Sequence, residues 1–150
     1  MMQNQSLEHW FGDKQTRLAG WRGWRESLAE FDQQTLVEKI AIWWKFVPLI
    51  NKSLDPWREE TWPTPWELVG RGEFCTSGQG LGIFYTMCLL NLDCQLILAQ
   101  IRSQEETRLL VLANGNKLLN YYDGLVTDIH DDVQILRRWE PSDLARLVKV

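Results

Sequence analysis

Apolar residues in the first part of the chain recur at helical spacing. Leu18, Trp21, Trp24 and Leu28, with Arg25 among them, predict a helix within Leu7–Phe31. Gly20 and Gly23 fall inside it and cost about 1 kcal/mol each relative to alanine, so they either admit another backbone or mark a break. Asp32 is a good N-cap for a second helix, whose apolar face is Leu36, Val37, Ile40, Ala41, Trp44 and Val47 and whose limit is Pro48. Trp43 lies to one side of that face and is a candidate for external contact.

The pattern dissolves between Asn51 and Trp62 and restarts at Thr64-Pro65-Trp66-Glu67. There Thr64 caps, Pro65 suits the first helical position and Glu67 completes a capping box. This short helix is expected to end near Gly70 or Gly72, and a third main helix runs from about Cys75 to Leu90. Gly78, Gly80 and Gly82 in its first half are expected to allow close packing against a sheet.

After Asn91 the period shortens. Gln95–Ile101, Arg108–Ala113, Lys117–Tyr122, Leu125–Ile129 and Val133–Trp139 read as strands. Asn114-Gly115 is the strongest hairpin signal, and Asp123-Gly124 suggests a second tight turn. Helices followed by an antiparallel meander make an α+β protein in which the meander packs on the central Cys-bearing helix. The chain reads as a single domain over 1–150, with a Trp-rich helical part (1–62), a helix-plus-sheet core (63–140) and a tail (141–150). The tail from Leu144 to Val150 either adds a strand to a partner's sheet or closes the protein's own core as a short helix.

Composition changes this picture in two respects. Nine tryptophans is a high number, and all but Trp139 lie in the first half, which indicates a Trp-rich core or a core that continues into an interface. Trp24, Trp43, Trp57 and Trp139 are the candidate partner contacts. The net charge of −4 argues against nucleic-acid binding through phosphate neutralisation. No run reaches membrane-spanning length, so no membrane is expected. Three cysteines without a close-spaced pair build neither a disulfide framework nor a zinc site, and they fit a reducing cytoplasm. No cofactor or metal is expected. The Gly78-Gln79-Gly80-Leu81-Gly82 run lacks the Lys-Ser/Thr ending of a phosphate loop, and Asp128, His130, Asp131 and Asp132 read as a solvated acidic turn.

The candidate chemistry centres on Cys75. A helix N-terminus offers unpaired N–H groups and partial positive charge, which suits a nucleophilic thiolate. Such a thiol also needs a base, usually histidine, oriented by Asp or Asn. Only His9 and His130 are present. An active form would use Cys75 as nucleophile, His130 as base, and Asn120, Asp128 or Asp131 to orient it.

From Gly72 to Val126 the chain resembles the bacterial transglutaminase-like cysteine proteinase family. Cys75 matches that family's nucleophile, with Glu73-Phe74 in place of the usual Gly-Asp, and Gln95–Ile101 matches the strand after the helix. The family's histidine falls near Thr107 or Arg108. Its aspartate falls at Leu119, or with a shift of one at Asn120, within Leu118-Leu119-Asn120. The resemblance therefore implies a degenerate papain-like or transglutaminase-like scaffold.

Trp43-Trp44, Trp62-Pro63-Thr64-Pro65-Trp66-Glu67, Phe74-Cys75 and Leu118-Leu119-Asn120-Tyr121 resemble small virion proteins of contractile-tailed bacteriophages. This second resemblance implies a virion protein made in the host cytoplasm. It would be a non-catalytic component of a tail or baseplate, with other virion proteins as partners in a symmetric assembly. The alternative is an active thiol hydrolase or transferase that cleaves amides in peptide or peptidoglycan.

Overall fold

The structure, a computed structural model, describes residues 10–50 and 54–148. The first long helix, α1, covers Lys14–Ser27 and not the whole span expected from Leu7. Asp13 interrupts the period and caps α1 by accepting from the Thr16 N–H. Gly20 and Gly23 do not break it. Helix α2 (Gln33–Lys45) starts at Asp32 as expected and buries Val37, Ile40, Ala41, Trp43 and Trp44. Helix α3 (Pro65–Arg71) carries the full capping box between Thr64 and Glu67 and ends on Gly72, whose φ of 69° is a left-handed C-cap.

Helix α4 (Thr76–Leu89) is buried on nearly all sides. Two of its glycines explain how its neighbours reach it. A Cβ on Gly80 would collide with the Leu109 carbonyl oxygen, and one on Gly82 would enter the Trp44 indole. Gly80 therefore seats α4 on the sheet, while Gly82 admits an indole from α2 rather than a strand. Gly78 meets only ordinary contacts.

The sheet has five antiparallel strands: β1 (Cys94–Ile101), β2 (Glu106–Ala113), β3 (Lys117–Leu119), β4 (Val126–Asp128) and β5 (Val133–Trp139). Their order is β4-β3-β2-β1-β5, so β1 to β4 run as a meander and β5 returns to the free edge of β1. β3 and β4 are shorter than the pattern predicts because Asn120, with φ of 71°, turns the chain out of the ladder after Leu119. The Asn114-Gly115 turn is present, with both residues at positive φ.

Alternation assigns the two faces. Leu96 and Leu98 of β1, and Leu109, Val111 and Ala113 of β2, join the helices in one core. Ile97, Ala99, Ile101, Leu110, Leu112, Leu118 and Tyr121 form a second core on the opposite face. There Tyr121, just after β3, donates to Asp132, just before β5, at 2.5 Å. β2 and β1 lie between β3 and β5, so this bond spans the second core from the end of β3 to the start of the β5 edge.

The tryptophans belong mostly to the first core. Trp43 is 3% exposed, stacked on Trp24 (centroids 4.3 Å apart, planes 12°) and set against Trp10 and Trp44. Trp139 is equally buried against Trp62, and its Nε1–H donates to Glu59. The expectation that Trp43 and Trp139 face partners is therefore corrected: both are internal. Trp24 is half-buried beneath Trp43, and of the four only Trp57, 51% exposed, presents its ring to solvent. Pro141–Asp143 forms a 3₁₀ turn leading into α5 (Leu144–Leu147), which buries Leu147 in the same core. The described part of the tail closes the protein's own core and does not form a strand; Lys149 and Val150 lie outside the described residues.

The glycine contacts predict opposite signs at two positions. Gly80→Ala should destabilise by about 1–3 kcal/mol through overpacking. Gly23→Ala, where a Cβ meets nothing within 4 Å, should stabilise by about 0.5–1 kcal/mol. Urea denaturation of both variants checks this, and a shared sign would refute the assigned contacts.

Candidate active site around Cys75

Cys75 is the N-cap of α4, in extended conformation (φ −111°, ψ 176°), and its carbonyl accepts from the Gln79 N–H at 2.9 Å. Its placement comes from both directions along the chain. Upstream, Phe74 forms a parallel bridge to Leu49, with bonds from Phe74 N–H to Pro48 O (3.0 Å) and from Ile50 N–H to Phe74 O (2.8 Å). The Phe74 ring locks edge-on against Trp10 and Trp44. Downstream, the first turn of α4 is tied to the end of β2. Ser77 Oγ accepts from the Leu109 N–H at 3.4 Å, and Asn120 Nδ2 donates to both Thr76 O (2.8 Å) and Leu109 O (3.0 Å).

Cys75 is partly exposed, and its sulfur accepts a hydrogen bond from the Leu54 N–H at 3.1 Å. The first-turn N–H groups of α4 have no partners within the helix, and no side chain caps them. Cys88 and Cys94 are buried core residues. Burial and the neighbouring Cys88 push the Cys94 thiol strongly upward, with the Cys88 contact the larger cause.

The structure separates His130, the expected base, from Cys75. His130 sits in the turn between β4 and β5 and packs edge-on against Tyr121, which belongs to the second core. The sheet thus stands between His130 and the thiol. The expectation that His130 reaches back to Cys75 is corrected. Its cause is the tie between the β4–β5 turn and Tyr121, which strand patterning does not reveal. His9 lies outside the described residues.

Asn120 does meet the Cys-bearing helix, but as a structural tie whose amide is spent on two carbonyls. Strand parity separates the two residues near which the resemblance puts a histidine. Thr107 shares the helix-covered face with Leu109 and Val111, whereas Arg108 points to the opposite face, where it bonds Asn120 O, Gln104 and Glu106. The Thr107 hydroxyl donates to Gln100 on β1 at 3.0 Å, so neither Thr107 nor Arg108 places an imidazole on the helix-covered face.

Asp132 is held by Ser103 and Tyr121, bonds that keep its carboxyl below the ordinary range. Among the described residues no group of three or more His, Cys, Asp or Glu is placed to hold a metal, and no helix is long and apolar enough to cross a membrane.

No family model and no curated protein matches the chain. Solved structures do. Legionella pneumophila LapG superposes with a TM-score of 0.70 at 13% identity, covering 93% of this chain and 80% of its own. Its calcium-bound form gives 0.70 at 12% identity, with 86% and 77% covered. Its EGTA-treated form gives 0.70 at 13% identity, with 93% and 80% covered. LapG is a bacterial transglutaminase-like cysteine protease, so the α+β fold expected from the proteinase resemblance is present. The likeness supports that part of the reading and not the virion part. It also overturns the expectation of a non-enzyme, which rested on the missing histidine: the scaffold that carries Cys75 is shared with a cysteine protease over most of the chain.

Two outcomes follow from this geometry. Under native conditions iodoacetamide should modify Cys75 alone, with Cys88 and Cys94 labelled only after unfolding; mass spectrometry reads this, and native labelling of Cys88 or Cys94 would contradict their burial. Asn120→Gly keeps the left-handed backbone but removes the tie, and should cost about 1–3 kcal/mol in thermal or urea unfolding.

Proposed function

We propose that the protein is a thiol hydrolase or acyl transferase acting on amide bonds, with Cys75 as its nucleophile. The observation that carries this reading is the position of Cys75. It is the one partly exposed cysteine of the chain, at the head of a buried helix, in a fold shared with a cysteine protease.

In this reading Cys75 Sγ attacks the carbonyl carbon of the substrate. The amine leaves with a proton, and water or a second amine releases the acyl group from the thioester. The free N–H groups of the first turn of α4 supply positive potential beside the developing oxyanion. The Leu54 N–H holds the sulfur in place.

The Thr107–Gln100 pair supplies no group that takes a proton at neutral pH. A positioned base contributes roughly 10²–10⁴-fold, so turnover without one should fall short of a base-assisted thiol enzyme by about that factor. Activated acyl groups, which demand less of the base, should be the better substrates.

The test is hydrolysis of a thioester and of a fluorogenic peptide amide by the wild-type, Cys75→Ala and Cys88→Ser proteins. Cys75→Ala should abolish thioester turnover, while Cys88→Ser and His130→Ala should each leave it within about twofold, since neither residue faces the reaction. His9→Ala examines the other imidazole of the chain. Equal rates for wild type and Cys75→Ala would end the proposal.

A further inference from the structure

A second feature lies on the helical side of the molecule. Helices α1 and α3 enclose a groove of about 390 Å³ whose walls include Lys14, Leu18, Trp21, Arg22, Arg25 and Trp66. Lys14, Arg22 and Arg25 fall on one side of α1 through its helical spacing, and none of the three forms an ion pair among the described residues. The Arg25 guanidinium lies over the Trp21 indole, 4.3 Å from its centroid, while its Nε is shielded from solvent and has no hydrogen-bond partner among the described residues. Desolvation, and then Arg22 beside it, lower the Arg25 pKa, while Glu26 opposes the shift in part. The Trp66 ring, on α3, is 50% exposed and faces a wall in which Lys14, Arg22 and Arg25 supply the charge.

We propose that this groove docks an acidic polypeptide segment, its carboxylates on Lys14, Arg22 and Arg25 and an apolar or aromatic side chain on Trp66. The occupant follows from charge. The chain carries −4 overall, so everything outside these three cations carries −7. A long polyphosphate needs a continuous basic track and would meet repulsion beyond the groove. A short stretch with a few carboxylates fits within it. Guanidinium groups match carboxylates in planar pairs, and the indole adds the area that separates an acidic peptide from a bare anion.

The groove also leads toward the thiol. The methylenes of Lys14 pack on Gly70, and Arg17 of the same helix donates to the Gly70 carbonyl through both Nε and Nη2. Gly70 precedes Cys75 by a stretch of chain that spans at most about 18 Å. An acidic segment in the groove and an amide at Cys75 can therefore belong to one extended polypeptide. Only that identification of the docked segment with the substrate rests on the thiol-hydrolase reading.

Fluorescence anisotropy with the full chain tests the docking without turnover, in wild-type and Cys75→Ala backgrounds alike. The probe is a fluorescein-labelled, end-blocked peptide of alternating Glu and Gly with a central Phe. Its control replaces every Glu by Gln. We expect the acidic probe to bind at least about tenfold tighter than the control at an ionic strength of about 0.15 M.

Arg22→Gln with Arg25→Gln should weaken it about tenfold and Trp66→Ala about fivefold. Arg58→Gln, an exposed cation outside the groove, should leave it unchanged. Should the Arg25 change impair folding by circular dichroism, Arg22→Gln and Trp66→Ala, both at exposed positions, decide alone. Equal binding of the Gln control, equal weakening by Arg58→Gln, or tighter binding of a short oligonucleotide that displaces the peptide would each overturn the proposal. Docking that holds while Cys75 proves inert would leave the groove standing and remove only its link to turnover.

Discussion

The structure turns on the contact between α4 and β2 at Gly80. A helix normally stands off a sheet by the length of its side chains. Here the missing Cβ brings backbone against backbone at the Leu109 carbonyl. That approach leaves β2 with an N–H and a C=O on the side where β3 has already ended, and both would be buried without partners. Ser77 takes the N–H and Asn120 covers the C=O while also holding Thr76. The tie that satisfies the strand therefore fixes the first turn of α4, and with it the direction of Cys75. Fold and site are set by the same few atoms.

The tryptophans follow from a second accounting of polar groups. Burying an indole gains area but obliges its N–H to find an acceptor, since an orphaned buried donor costs about 1–3 kcal/mol. Thr86 meets that need for two of them, accepting from Trp21 (3.2 Å) and Trp44 (3.1 Å) while donating to the Gly82 carbonyl (2.8 Å). Trp62 uses the Asp55 carbonyl, and Trp139 uses Glu59, which Arg146 also grips. Trp21, Trp44 and Trp139 are thereby attached to elements distant in sequence, and Trp62 to the loop just before it. A high tryptophan count here is a means of joining α1, α2, α4 and the segments around Glu59 and Trp139 into one core. Exposed indoles are confined to Trp57 and Trp66 among the described residues.

What could be read from the sequence divides along the range of the interactions. The Thr64–Glu67 capping box, the Asp32 cap and the Asn114-Gly115 turn depend on residues a few positions apart, and each is where the pattern places it. Asp13 was equally local but lay inside a longer apolar period that concealed it. Cys75 at a helix head was legible because Gly72 and the apolar run behind it bracket the position. The places of Trp43 and His130 were not. Trp43 lies off the main stripe of its helix, and only the arrival of Trp10 and Trp24 buries it. His130 could face either side of the sheet until Tyr121 and Asp132 fixed its turn. The basic groove was invisible for a similar reason, since its cations are spread along α1 as single charges and become a site only when Trp66 of α3 closes the other wall.

The distribution of these constraints bears on the chemistry. Cys75 cannot move without disturbing the Phe74 bridge, the Asn120 tie and the packing of α4, so its position is as stable as the core. Thr107 stands at the open end of β2, half-buried, and its one side-chain bond is to a neighbouring strand residue. Nothing in the core depends on the identity of that side chain. A scaffold built this way holds Cys75 by folding alone, whereas position 107 is free to vary without cost to stability. Where the base is weak, binding energy from outside the reacting centre has more to do, because a substrate held in register raises the effective concentration of its amide at the thiol. An acidic segment docked between α1 and α3 would act in that way, on a helix anchored through Arg17 to the same stretch of chain that delivers Cys75.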